Sequence, residues 1–349
     1  MTTNMASGEA HGGGNVLENF KDNLDIVITQ IKDGETERET DDDFEAKQSE
    51  YWTKVGSVFK SLSHEATKLS LAFSSPPLPD QKTCKSLVEM CERATLGLVS
   101  LFYSLPKSQG LCLRKSLKLA VLSVLQDLQN LVHILHNNGA GSPEQLQSTG
   151  IVWQDTDRFS KLPKDNKEAV LGLMKTASEL VKDALSEMQD AVENGPANDM
   201  AEVFGIEMDE PSNEDTWTET DKTLLGPCLG LLKTTRSLLK KSRESVSKWG
   251  SCHSAEHVSQ LDDCADFIGR LSPAVDEFAA SLYPPMRYST VQENAKDLYN
   301  LQRTILIFLQ KCHMCNEDDQ KWVEFLMTAN QHNWENIKQI TDTIPDPVT

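Results

Sequence analysis

Aromatic residues make up only 6% of this 349-residue chain. Leucine, valine and alanine must therefore supply most of any core. Proline and glycine are sparse, at 14 and 18 residues, and fall in clusters. That excludes the regularly spaced turns of a many-stranded β protein and favours long helices with punctuated ends. Long apolar runs are missing too. The longest notable one, 305–309, falls far short of the roughly 20 residues that cross a bilayer. Cations are in deficit: 34 Lys and Arg face 53 Asp and Glu, a formal charge of −19. Such a chain is repelled by DNA, whose binding needs Lys and Arg to displace counterions, and by anionic membrane surfaces. A partner that uses charge is expected to be basic, or to meet a local basic patch.

Catalytic signatures are absent as well. Gly12–Gly14 precede Asn15 and Val16, so no phosphate-binding Walker loop is present, and no G-x-G-x-x-G fingerprint occurs. None of the eight histidines has an acid three positions before it, which excludes the Glu-x-x-His pairs of di-iron bundles. The opening MTTNMASGEAHGGGN lacks the basic start and apolar centre of a secretory leader. With eight cysteines and no such leader, a reduced intracellular compartment with free thiols is expected.

What the chain does contain is leucine-rich helical periodicity. Residues 1–14 read as disordered. Leu17, Phe20, Leu24, Val27, Ile28 and Ile31 mark a first helix, and Tyr51 to Phe73 a second that ends at the prolines of 74–79. A third helix covers 80–104, a fourth runs from Leu113 to Leu135 and stops at NNGAG, and a short one is expected in 143–160. The clearest seam lies in 165–193: Val170, Leu173, Ala177, Leu180 or Val181, Ala184, Met188 and Ala191. Residues 193–221 then hold ten acids and no Lys or Arg. That composition cannot offset its ordering entropy, so an acidic linker is expected at 196–220. Four more helices follow, at about 221–249, 254–282, 287–314 and 318–340, with Pro273 expected to kink or split the second. The expectation is an all-α protein with an N-terminal bundle over 15–195 and a C-terminal bundle over 221–342.

Two charged groups are candidate binding residues. Lys107, Arg114, Lys115 and Lys118 follow a Pro/Gly turn. They read either as a solvated helix face or as a docking patch for an acidic partner or for the chain's own linker. Asp209, Glu210, Glu214 and Asp215 form the acidic counterpart. Within that run Ser212 and Thr216 have an acid three positions on, the pattern of an acidophilic-kinase acceptor. Ser75-Pro76, Ser142-Pro143 and Ser272-Pro273 fit minimal proline-directed sites, but also helix N-cap and N1 pairs. Cys312-His313-Met314-Cys315 and His253-Ser254-Ala255-Glu256-His257 are fragments of metal-binding strings, short of a ligand set. No metal or cofactor is expected. Tyr283-Pro284-Pro285-Met286 reads as a rigid corner between helices.

SLPKSQGLCLRKSL at 104–117, LPKDNK at 162–167 with its heptad helix, QLDDCADFIGRLSPAVDEFAASLYPPM at 260–286 and the acidic run occur in an order that resembles the cyclin-D-binding (Grap- and cyclin-D-interacting) protein family, over about 17–342. The resemblance implies a non-enzymatic regulator of nucleus and cytoplasm. It implies binding to D-type cyclins, to a Grap-type adaptor and to helix-loop-helix transcription factors, with restraint of cell-cycle progression and of retinoblastoma-controlled transcription. It also implies an all-helical fold like the bundles of vinculin and α-catenin, and with it the alternative of a cytoskeletal scaffold. A helix-loop-helix-like pair would be the helices of 84–138 joined at Pro106. Their apolar residues are, however, the ones a bundle core needs.

Overall fold

The computed structural model describes residues 14–34, 44–138, 140–194 and 216–343. Among them are ten α-helices and no strand. We number these α1 (Gly14–Asp33), α2 (Phe44–Ala72), α3 (Gln81–Ser104), α4 (Leu111–Asn137), α5 (Pro143–Asp157), α6 (Asn166–Asn194), α7 (Glu219–Trp249), α8 (Ala255–Ala280), α9 (Tyr288–Leu309) and α10 (Glu317–Thr343). The all-α expectation is met.

The chain divides into two compact units, Met1–Lys164 and Asp165–Thr349. In the first, α1 packs on α3 and α4, α2 on α3 and α5, and α4 on α5, which closes a five-helix ring. The buried stripes follow the helical period. Leu17, Phe20, Leu24, Ile28 and Ile31 line α1. Leu113, Leu117, Val121, Val124, Leu128 and Leu135 line α4. Each such side chain contributes roughly 1.5–3 kcal/mol when withdrawn from water. The apolar faces of α3 and α4 are therefore spent on this core, and a helix-loop-helix dimer made from them would first have to expose it.

In the second unit α6 packs on α7 and α8, α7 on α10, α10 on α9 and α9 on α8. This corrects the expected division at 195: α6 belongs with the C-terminal helices. Its buried stripe is Val170, Met174, Ala177, Val181, Leu185, Met188 and Ala191, aimed at α7 and α8. The linker boundary also shifts. Trp217 is buried, with Nε1 donating to the Leu282 carbonyl at 2.8 Å. Thr218 and Asp221 close a capping box that starts α7, and the buried Asp221 also accepts from the Tyr288 hydroxyl at 2.8 Å. Residues 217–220 are structure, not linker. The disordered reading of 1–14 lies outside the described residues, apart from Gly14, which opens α1.

Pro273 does not split α8. The carbonyl four residues back belongs to Gly269, which faces open space, so it can turn to water without a clash. Ser142 is the N-cap of α5 with Pro143 behind it, as its Ser-Pro pattern allows. Ser272-Pro273 instead lies within a helix. Met286, at the corner between α8 and α9, is fully buried.

Candidate protein-binding surface

The basic turn after α3 is built around one glycine. Gly110 has φ +114°, open to glycine and strained for other residues, and its N–H donates to the Lys107 carbonyl at 3.0 Å. The reversal brings the start of α4 back across the end of α3, where the last carbonyls lack helical partners. Arg114 fills that role. It is 3% exposed, its Nη1 donates to the Leu105 carbonyl, and its guanidinium lies 5.3 Å over the Phe102 ring. Burial pushes the neighbouring Tyr51 phenol upward, and Arg114 opposes that shift. Lys118 does similar work at the end of α1, with Nζ donating to the Lys32 carbonyl at 3.2 Å. Lys107 is half-buried and Lys115 exposed. Arg114 therefore leaves the expected docking patch as an interior latch, whereas Lys107, Lys115 and Lys118 keep access to solvent.

Asp209, Glu210, Ser212, Glu214 and Asp215 lie outside the described residues. Thr216 is exposed and immediately precedes the buried Trp217.

The cysteine and histidine strings form a joint. His313 stacks on His257 with ring centroids 4.0 Å apart. Its Nε2 accepts from the Ser251 N–H at 3.1 Å, and its Nδ1 pairs with Gln260 Oε1 at 2.7 Å. Those partners fix a neutral ring protonated on Nδ1. Burial, reinforced by His257, lowers its affinity for a second proton. The Cys315 thiol is pushed up to about 11, by burial and then by Asp319. A thiol held protonated is a poor metal ligand. Among the described residues no three His, Cys, Asp or Glu side chains converge for a metal.

The residues passed over in the sequence lie between α6 and α7. A cleft of about 1090 Å³ opens there. It is lined by Lys175 and Lys182 of α6 and by Lys233, Arg236, Lys240 and Arg243 of α7. All six are exposed. The signal was available: residues 222–249 carry seven cations and a single acid, Glu244, in a chain of net charge −19. The spacing 233, 236, 240, 243 puts four of those cations on one helix face.

Comparison with known proteins follows from these surfaces. A family model described as Grap2 and cyclin-D-interacting, N-terminal, matches residues 54–194, and its C-terminal counterpart matches 198–306. The chain belongs to this family. The cyclin-D1-binding protein 1 homolog of Xenopus laevis is 38% identical over 330 residues, covering 93% of this chain and 98% of that protein. The homolog of Danio rerio is 36% identical over 329 residues, covering 93% and 95%. The Homo sapiens cyclin-D1-binding protein 1 is 31% identical over 346 residues, covering 94% and 93%. The two family segments meet within the acidic run, whereas the compact units divide before α6. Each family segment thus contributes one wall of the basic cleft: Lys175 and Lys182 come from the first, and the α7 cations from the second.

Proposed function

We propose that this chain is a non-catalytic regulator that works by occupancy, holding a D-type cyclin and denying it to other partners. One observation carries this reading: relatives alignable over more than nine-tenths of the chain are named for binding cyclin D1. The fold is compatible with it. Its leucine stripes are consumed by the two cores, which leaves polar helix faces and a charged cleft for contact. In this reading the chain acts in nucleus and cytoplasm. It lowers cyclin-dependent phosphorylation of the retinoblastoma protein and so restrains the transcription that protein controls. It also engages helix-loop-helix factors and a Grap-type adaptor through its outer faces, because the α3 and α4 interiors are occupied.

The test is direct binding of the purified full chain to a purified D-type cyclin by biolayer interferometry across a salt series. Expected is a Kd of about 1 μM or tighter, with the on-rate falling as salt rises and the off-rate little changed. Absence of binding at tens of micromolar, roughly −6 kcal/mol, refutes the cyclin assignment. In a reconstituted kinase reaction the chain should lower phosphate incorporation into the retinoblastoma protein. Unchanged incorporation refutes the restraint.

A further inference from the structure

We infer that the α6–α7 cleft is a docking site for an acidic polypeptide segment of a partner protein. The inference stands whether or not that partner is a cyclin. It begins with where the cations sit. Lys233, Arg236, Lys240 and Arg243 recur at intervals of three and four, and Lys175, Ser178, Glu179 and Lys182 do the same on α6. Bundles place leucine at such positions when two helices close on each other. Here the buried residues of the same helices, such as Val181, Leu231 and Leu238, lie beside these rows, which stay open to solvent.

Charge within the cleft is unbalanced. The lining carboxylates are Glu179 and Glu244. Glu179 faces Lys175 at 3.9 Å, and Glu244 is held by Lys241 at 2.9 Å. Lys182, Lys233, Arg236, Lys240 and Arg243 pair with no carboxylate among the described residues. Neighbouring α7 cations rise about 5 Å apart along the axis, close enough to repel one another. A ligand carrying several negative charges relieves that repulsion, and the two arginines offer forks that match carboxylates bidentately.

Two features favour polypeptide over the other polyanions. Glu179 and Glu244 interrupt the basic lining, and Ser247 adds a neutral hydroxyl, whereas the Ser178 and Ser237 hydroxyls donate to the Met174 and Lys233 carbonyls of their own helices. The cations line a concave cleft, whose floor a flat bilayer does not reach. Lys233 to Lys248 spans about 22 Å of helix. That length accommodates four turns of a helix whose acids recur at three and four residues.

The experiment uses the full chain and a fluorescein-labelled helical peptide of about four turns, with Glu at three- and four-residue intervals, read by fluorescence anisotropy. The controls are the same peptide with Gln for Glu, a single-stranded oligonucleotide of equal charge, and phosphatidylserine vesicles. The Glu peptide should bind, and the Gln peptide should bind at least about tenfold more weakly. Lys233→Glu with Lys240→Glu should weaken the Glu peptide by about tenfold or more, with the helical circular dichroism unchanged. Lys60→Glu with Lys85→Glu, on the other unit, should leave it unchanged. Because all four positions are exposed, folding survives either pair. Equal affinity for the Glu and Gln peptides overturns the inference. So does a cleft variant that binds like wild type, or preference of the cleft for the oligonucleotide or the vesicles.

Discussion

Replacing Arg114 by alanine is expected to destabilise the first unit by about 3 kcal/mol. Three contributions build that figure. The buried Leu105 carbonyl loses a hydrogen bond from a charged donor, worth about 1.5–3 kcal/mol. The Phe102 ring loses a guanidinium 5.3 Å from its centroid, worth about 1 kcal/mol. The end of α3 loses a cation beside its unpaired carbonyls, worth about 0.5 kcal/mol. Against these stands the desolvation of a guanidinium that is 3% exposed, which alanine does not incur. Lysine in its place keeps the charge but not the planar fork, so Arg114→Lys should lose about half as much. Lys115→Ala, one residue on and exposed, should stay within about 0.5 kcal/mol of wild type. Urea unfolding followed by circular dichroism measures all three, and 3 kcal/mol should lower the melting temperature by roughly 6–12 °C. Were Arg114→Ala as stable as Lys115→Ala, the latch would be refuted. Were folded Arg114→Lys to lose partner binding at full stability, the side chain would have to be returned to the surface.

Three further substitutions probe the first unit. Asp127 is pushed up to about 6, by burial and then by Asp155, which shares a proton with it and repels its charge. The fold thus favours protonated Asp127. The associated stability is present below the ordinary carboxylate range and is lost as pH rises through about 6. Asp127→Asn should therefore gain about 1 kcal/mol at pH 8, discounted for partial exposure, and almost nothing at pH 4; equal gains at both pH values in denaturant titrations would rule out the shared proton. Gly141 has φ +70°, and a Cβ there would lie 2.4 Å from the Ser74 carbonyl oxygen. Gly141→Ala should cost about 2–3 kcal/mol, whereas Gly150→Ala, in a helix with open space around it, should gain about 0.5–1 kcal/mol by the same measurement. Similar effects at both glycines would refute the conformational argument.

Periodicity made the helices legible, and its limits show in α6. A strict seam placed Leu173 and Ala184 inside, but Met174 and Leu185 are the buried residues. The buried stripe keeps the mean spacing of that seam, from Val170 to Ala191, but takes its four-residue steps at different turns. The choice left open between Leu180 and Val181 resolves the same way, with Val181 buried and Leu180 exposed at 48%. Which unit owns α6 was not legible, because a stripe specifies that a face is buried and not against what. Arg114 was misread for a related reason. Spacing set it at the edge of the leucine arc, and only the return of the chain at Gly110 brings a free carbonyl to it. The α6–α7 cations were visible as a charge excess, but their cleft needs two helices far apart in sequence.

Because α6 sits among the C-terminal helices while the family boundary falls after it, cloning at that boundary cuts through a packed unit. A fragment ending at 194 carries a bare greasy ridge, and one starting at 198 lacks the wall that should cover its own. Both pieces would adhere to many proteins in a capture assay. Partners mapped with such halves would report an exposed interior and not a natural contact, whereas a cut before Asp165 keeps each core whole.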